Sequence, residues 1–270
     1  MVYSMKRTLV FLALASLATV AMQSPASALP AGAPHYPDMI TQPPFNLRLV
    51  AGKSTAGRKL FFANTIGNVG NGPLELRGEH HAASGTTDAI QEIYTHGASS
   101  SPKSQSLTLV SSATIGTFVF HPAHSHWHMA DFARYELRSI NTDGSTGPVV
   151  AATDKVSFCM IDTDVIDSTI EHFRMGLAHS CGQNARQGVR VGMGDTYSAS
   201  LPDQFIDITT VADGTYRLVS VADPNVPDRP GGRLLETNDS NNAASVDVTV
   251  TRSAVTIVPG TARTRIDAPS

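Results

Sequence analysis

Apolar residues in this chain recur at every second position in short runs, a period that points to antiparallel β-structure. From Phe132 to Ile140, Ala133, Tyr135 and Leu137 alternate with Arg134, Glu136 and Arg138. Val246, Val248 and Val250 repeat the pattern within Ala243–Thr251. Further short strands are predicted at Asn46–Val50, Leu60–Asn64, Leu74–Arg77, Ile90–Tyr94, Ile115–Phe120, Val149–Met160, Phe205–Thr209 and Thr215–Val221. Turn chemistry separates them, at Asn141–Pro148 and at Asp213-Gly214. Thr169–Leu177 is the one short helix expected, in the least β-like region. The expected fold is therefore mainly β, an antiparallel β-sandwich core with short helices and long loops.

The chain starts like an exported one. Lys6-Arg7 precedes an apolar run from Leu9 to Met22, and Ala26-Ser27-Ala28 fits a cleavage site. Residues 1–28 are read as a signal peptide, 29–258 as a single domain, and 259–270 as a disordered tail. The mature protein is expected to be secreted or held at the cell envelope, with no membrane span. Losing Lys6 and Arg7 takes the net charge from −3 to −5. That balance, with no basic stripe, argues against a nucleic-acid partner. Cys159 and Cys181 are the two cysteines. In an oxidising compartment a disulfide is the default reading, with free thiols or a copper-ligating cysteine as alternatives.

Four of the ten histidines fall in eight positions, at His121, His124, His126 and His128. In an extended strand His124, His126 and His128 would leave from one face, with Ser125, Trp127 and Met129 on the other. Imidazoles converging without sulfur suit Cu(II), Zn(II) or Ni(II), and the spacing alone does not choose among them.

The order of motifs resembles the catalytic domain of the lysyl oxidase family. The matching residues run from the histidine stretch through Asp131-Phe132, Tyr135-x-Leu137 and Lys155-Val-Ser-Phe-Cys159. They continue at Gln187-Gly188, Gly194-Asp195-Thr196-Tyr197, Gln204-x-Ile206-Asp207-Ile208-Thr209, Gly214-x-Tyr216 and Glu236-x-Asn238-x-x-Asn241-Asn242. The resemblance implies a Cu(II) site at His124, His126 and His128, with His121 beside the site rather than in it. It implies that Lys155 and Tyr197 form lysine tyrosylquinone, an electron acceptor that no unmodified side chain replaces. The implied activity is protein-lysine 6-oxidase-like: oxidative deamination of a primary amine, peptidyl lysine among them, by O2, with release of aldehyde, ammonia and hydrogen peroxide. Asp195 and His179 are the candidates for the general base. Animal members carry a histidine where this chain has Arg134, so no role of that histidine transfers.

The last motif brings oxygen ligands together. By resemblance, Glu236, Asn238, Asn241 and Asn242, with Asp38 and the carbonyl of Met39, form a Ca(II) site. Two alternatives stand beside the oxidase. One is a secreted metal-binding surface or matrix protein without turnover. The other is a zinc hydrolase using the same histidines and a metal-bound water.

Overall fold

The computed structural model describes residues 32–51, 57–96, 107–153, 157–169, 179–227, 229 and 231–269. The chain divides at Pro30, and all of these residues belong to the second unit, Ala31–Ser270. The expected signal peptide at 1–28, Lys155, and the helix expected at Thr169–Leu177 beyond Thr169 lie outside the described residues.

The described residues form strands in three sheets, with every pairing antiparallel. The first sheet joins β1 (Met39–Thr41), β3 (Arg58–Asn68), β12 (Met193–Tyr197) and β10 (Asp164–Val165) in that order. There, β2 (Phe45–Ala51) and β13 (Phe205–Asp207) also pair with β3. The second sheet runs β11 (Arg186–Val189), β4 (Leu74–His81), β5 (Thr86–His96), β6 (Leu107–His121) and β7 (His126–Met129). The third runs β16 (Val255–Ile257), β15 (Ala243–Val250), β14 (Gly214–Ala222), β8 (Ala133–Ile140) and β9 (Thr146–Ala152), with β17 (Arg263–Ile266) also on β15.

The mainly β expectation holds. The short helices do not: among the described residues there is no helix, and so none long and apolar enough to cross a membrane.

One core serves all three sheets. Leu60 and Phe62 of the first, Leu74, Leu76 and Ala89 of the second, and Tyr135, Leu137, Val246 and Val248 of the third are buried in a single cluster. A polar knot sits within it. The Asn64 Oδ1 accepts from Tyr135 Oη at 3.2 Å, Ser220 Oγ at 3.1 Å and Thr41 Oγ1 at 3.0 Å. These residues come from the first and third sheets, so the knot fixes how the two sheets meet.

The segment expected as a disordered tail carries a paired strand among its described residues, 259–269. β17 pairs with β15 through Ala243↔Ile266 and Ser245↔Arg263. The reason is apolar burial: Val219, Val221 and Ala243 form a second cluster covered by Ile266 and Ala268.

Candidate metal centre

The histidine stretch folds as a hairpin rather than as one strand. β6 ends at His121, β7 begins at His126, and residues 122–125 form the turn. The His124 and Ser125 N–H groups both donate to His121 O, at 3.1 and 2.9 Å. Pro122 brings no backbone donor, and Ser125 takes the left-handed φ of 57° that closes the turn. His124 is therefore a turn residue, and only His126 and His128 keep strand alternation. Register places His121 opposite His126 and Val119 opposite His128. Opposed residues of an antiparallel pair share a face, so His121 joins the other two across the hairpin.

Ring nitrogens of His121, His124 and His128 lie within 4.8 Å of one another. His126 flanks them, its ring centroid 4.8 Å from His128 and 5.5 Å from His124. Hydrogen bonds orient two of the rings. His124 Nε2 donates to the Pro202 carbonyl at 3.0 Å. His128 Nδ1 donates to the Ser157 carbonyl at 3.1 Å. Carbonyls only accept, so these nitrogens carry hydrogen, leaving His124 Nδ1 and His128 Nε2 as lone-pair donors. His128 is fully buried, and its Nε2 and the Nδ1 of His121 are both buried atoms. Converging imidazoles, each of two with its other nitrogen engaged by a carbonyl, are a donor set that fits a nitrogen-preferring transition metal.

The back of the hairpin ties this cluster to the motif at 155–159. Met129 and Phe158 exchange backbone hydrogen bonds of 2.8 and 3.1 Å, and Trp127 N–H donates to Cys181 O at 2.8 Å. Gln187 Nε2 reaches Trp127 O at 2.9 Å. Cys159 and Cys181 form a disulfide, with Cα atoms 5.7 Å apart. Tyr197 closes the arrangement. Its ring meets Phe158 edge-on at 4.6 Å and lies nearly parallel to His124 at 6.4 Å. Burial first, then the nearby Asp195 charge, pushes the Tyr197 phenol well above its ordinary range, so the hydroxyl stays protonated.

A pocket of about 190 Å³ opens here, lined by His124, His126, Asp195, Tyr197, Ile161 and Leu201 together with the disulfide. Asp195 and Tyr197 share a face of β12, as residues two apart in a strand do. Of the two candidate bases, only Asp195 lines this pocket. His179 is instead hydrogen-bonded to Glu75, Nε2 to Oε1 at 3.0 Å. It packs where Gly188 leaves room, since a Cβ there would meet the Leu74 carbonyl and come 2.9 Å from the His179 ring.

The Glu236 motif forms a separate acidic site. Glu236 accepts from the Met39 N–H and the Asn242 amide, both at 2.7 Å, and Asp38 accepts from the Asn241 amide at 2.9 Å. Oδ1 of Asn241 and of Asn242 are buried acceptors that no donor among the described residues reaches. Burial, with Asp223 and Asp239 nearby, raises Glu236 to about 8. Asn238 turns away and caps Ser240 instead, at 2.7 Å. Thus Asp38, Glu236, Asn241 and Asn242 come together here, and Met39 meets Glu236 through its N–H rather than the expected carbonyl.

Ser157, Pro202 and Asp203 are the contacts that sequence reasoning missed. Ser157 lies inside a motif already noted; the other two carry no local signal.

The sequence profile of the lysyl oxidase family matches residues 103–259. Lysyl oxidase homolog 3B of Danio rerio is 34% identical over 128 residues, 47% of this chain and 14% of that protein. Homolog 3 of Homo sapiens is 32% identical over 128 residues, with 47% and 15% covered. Homolog 4 of Homo sapiens is 31% identical over 127 residues, again with 47% and 15% covered. The chain thus spans only 14–15% of the length of these relatives. The family profile covers more than half of the chain, from before the histidine hairpin to beyond the Glu236 motif, and the chain belongs to the lysyl oxidase family.

Proposed function

We propose that this chain is an exported copper-dependent amine oxidase that converts primary amines, peptidyl lysine among them, to aldehydes. The observation that carries the reading is Tyr197, buried against Phe158 and Cys159 and sharing one pocket with His124 and His126. Family membership supports it. His124, His126 and His128 would hold Cu(II), and Lys155, two residues before Ser157, would supply the amine that joins Tyr197. Bound copper with O2 would supply the oxidation that makes lysine tyrosylquinone from these two side chains. Overall, a primary amine, O2 and water give an aldehyde, ammonia and hydrogen peroxide.

The chain's own groups have definable tasks. Ile161, Leu201 and the disulfide make the pocket wall largely apolar, suited to the methylene stem of an unbranched amine. Asp195, which lines the pocket, would take a proton from the carbon next to the substrate nitrogen. The Tyr197 hydroxyl holds its proton toward Cys159 O at 2.9 Å.

We also propose a Ca(II) site at Asp38, Met39, Glu236, Asn241 and Asn242. Its support is a buried carboxylate beside two buried amide oxygens, the oxygen-only set that Ca(II) takes.

Peptide mass mapping of copper-loaded, aerobically matured protein tests the oxidase. The expected result is a covalent link between the Lys155 and Tyr197 peptides, with amine-dependent peroxide release. Two unmodified peptides in copper-replete protein would sink it in favour of metal binding without turnover.

A further inference from the structure

The loop that leaves Tyr197, residues 198–204, folds back onto the histidine hairpin. Leu201 N–H bonds Ser198 O at 3.0 Å and Phe205 N–H bonds Asp203 O at 2.9 Å, so the loop is built of tight turns. It touches two of the three converging histidines. Pro202 O takes the His124 Nε2 hydrogen at 3.0 Å. Asp203 Oδ2 stands 3.7 Å from His121 Nε2, at ion-pair distance. Asp203 holds a left-handed φ of 62°, a conformation that Asp and Asn tolerate better than most residues.

Each converging histidine then has one ring nitrogen facing an outer oxygen. For His121 it is the Asp203 carboxylate, for His124 the Pro202 carbonyl, for His128 the Ser157 carbonyl. A carboxylate at His121 Nε2 favours hydrogen on that nitrogen, leaving the buried Nδ1 for the cluster. His121 thereby offers a further imidazole beside the ligands set out above.

We propose that Asp203 is a positioning residue of the metal centre: its carboxylate orients His121 so that Nδ1 becomes an additional metal donor. This rests on the copper reading. It makes the metal site and the Tyr197 loop one unit, because the segment that begins right after Tyr197 supplies the outer contacts of His121 and His124. Nothing in the local sequence of Asp203 marks it for this task, since 82 positions separate it from His121.

The test is Cu(II) binding to the full chain, read by chelator competition and by the copper EPR spectrum. Asp203→Asn keeps the left-handed backbone and removes the charge; Asp203→Gly tolerates the same φ and removes the side chain. Asp143→Ala, on the exposed turn before β9, controls for loss of one negative charge. The expected result is a weakening of about tenfold or more for Asp203→Gly, a smaller one for Asp203→Asn, and an altered parallel hyperfine splitting in both. Asp203→Glu should recover part of the affinity, and Asp143→Ala should leave affinity and spectrum as they are. Asp203→Gly matching wild type in both readouts would overturn the proposal, as would equal losses in Asp203→Gly and Asp143→Ala. A wild-type chain that takes up no Cu(II) through nitrogen ligands would remove the copper reading and this inference with it. A loaded wild type with an indifferent Asp203 would remove the inference alone.

Discussion

One phenol oxygen, that of Tyr197, satisfies both backbone groups of Cys159: it accepts from the N–H and donates to the carbonyl, each at 2.9 Å. Two buried backbone groups therefore depend on a single side-chain atom. Tyr197→Phe keeps the ring against Phe158 but orphans both. The expected cost is about 2–3 kcal/mol in urea unfolding, from the desolvation of unpaired groups. The same variant should show no quinone redox staining after copper loading.

The disulfide joins the Tyr197 side of the pocket to the hairpin, because Cys181 O receives the Trp127 N–H. Cys159 and Cys181 are 22 residues apart in sequence. Replacing both by Ser should cost about 3 kcal/mol of stability in the chain-entropy account. Cu(II) affinity should fall as well, since the hairpin loses a backbone anchor. Denaturant titration and chelator competition on the same preparation measure the two effects.

Asp195 lines the pocket whereas His179 is tied to Glu75. Asp195→Asn should lower kcat for amine-dependent peroxide release by about 10²–10⁴, the usual weight of a general base. The Lys155–Tyr197 linkage should still be detected in that variant. His179→Gln is expected to lower thermal stability with a far smaller effect on kcat. A large kcat loss in His179→Gln alone would reverse the assignment.

Glu236 ties stability to pH. Burial, then the charges of Asp223 and Asp239, raises its carboxyl to about 8 from an ordinary 4.5. A raised value means that its stabilising contribution is complete below 4.5 and is lost as pH climbs through 8. Asp223, raised to about 6 chiefly by burial, adds to the lower part of that window. Chelator-treated protein should melt at progressively lower temperature from pH 5 to pH 8.5. Added Ca(II) should restore the melting temperature at the alkaline end, and Glu236→Gln should flatten the profile. An unchanged profile with added Ca(II) would count against the calcium site.

Asn64 sets the junction between the first and third sheets through three donors on one oxygen. Asn64→Ala should destabilise the protein by about 2–3 kcal/mol, since the hydroxyls of Thr41, Ser220 and Tyr135 each lose an acceptor. Thermal melts of Asn64→Ala and of Tyr135→Phe in that background would show non-additive losses, because the groups share one atom.

Local periodicity decided much of this protein from sequence alone. The alternation of Ala133, Tyr135 and Leu137, and of Val246, Val248 and Val250, is what places them in β8 and β15 with buried faces. The side chains of a strand are sorted by a two-residue period that is written in the chain itself. Likewise, the density of imidazoles at 121–128 announces a nitrogen-rich candidate metal site, because the chemistry lies in the residue types.

What only the tertiary structure decided involves partners distant in sequence. Strand alternation predicted that His124, His126 and His128 would share a face; the turn at Pro122–Ser125 removed His124 from the strand, and cross-strand register brought in His121. Ser157 reaches His128, and Asp203 reaches His121, across gaps of 29 and 82 residues. The tail at Arg263–Ile266 is ordered because Val219, Val221 and Ala243 present an apolar surface to cover, a demand that no pattern in the tail itself expresses. Residue type and short-range period are properties of the sequence, whereas register and loop docking depend on which distant surfaces must exclude water together.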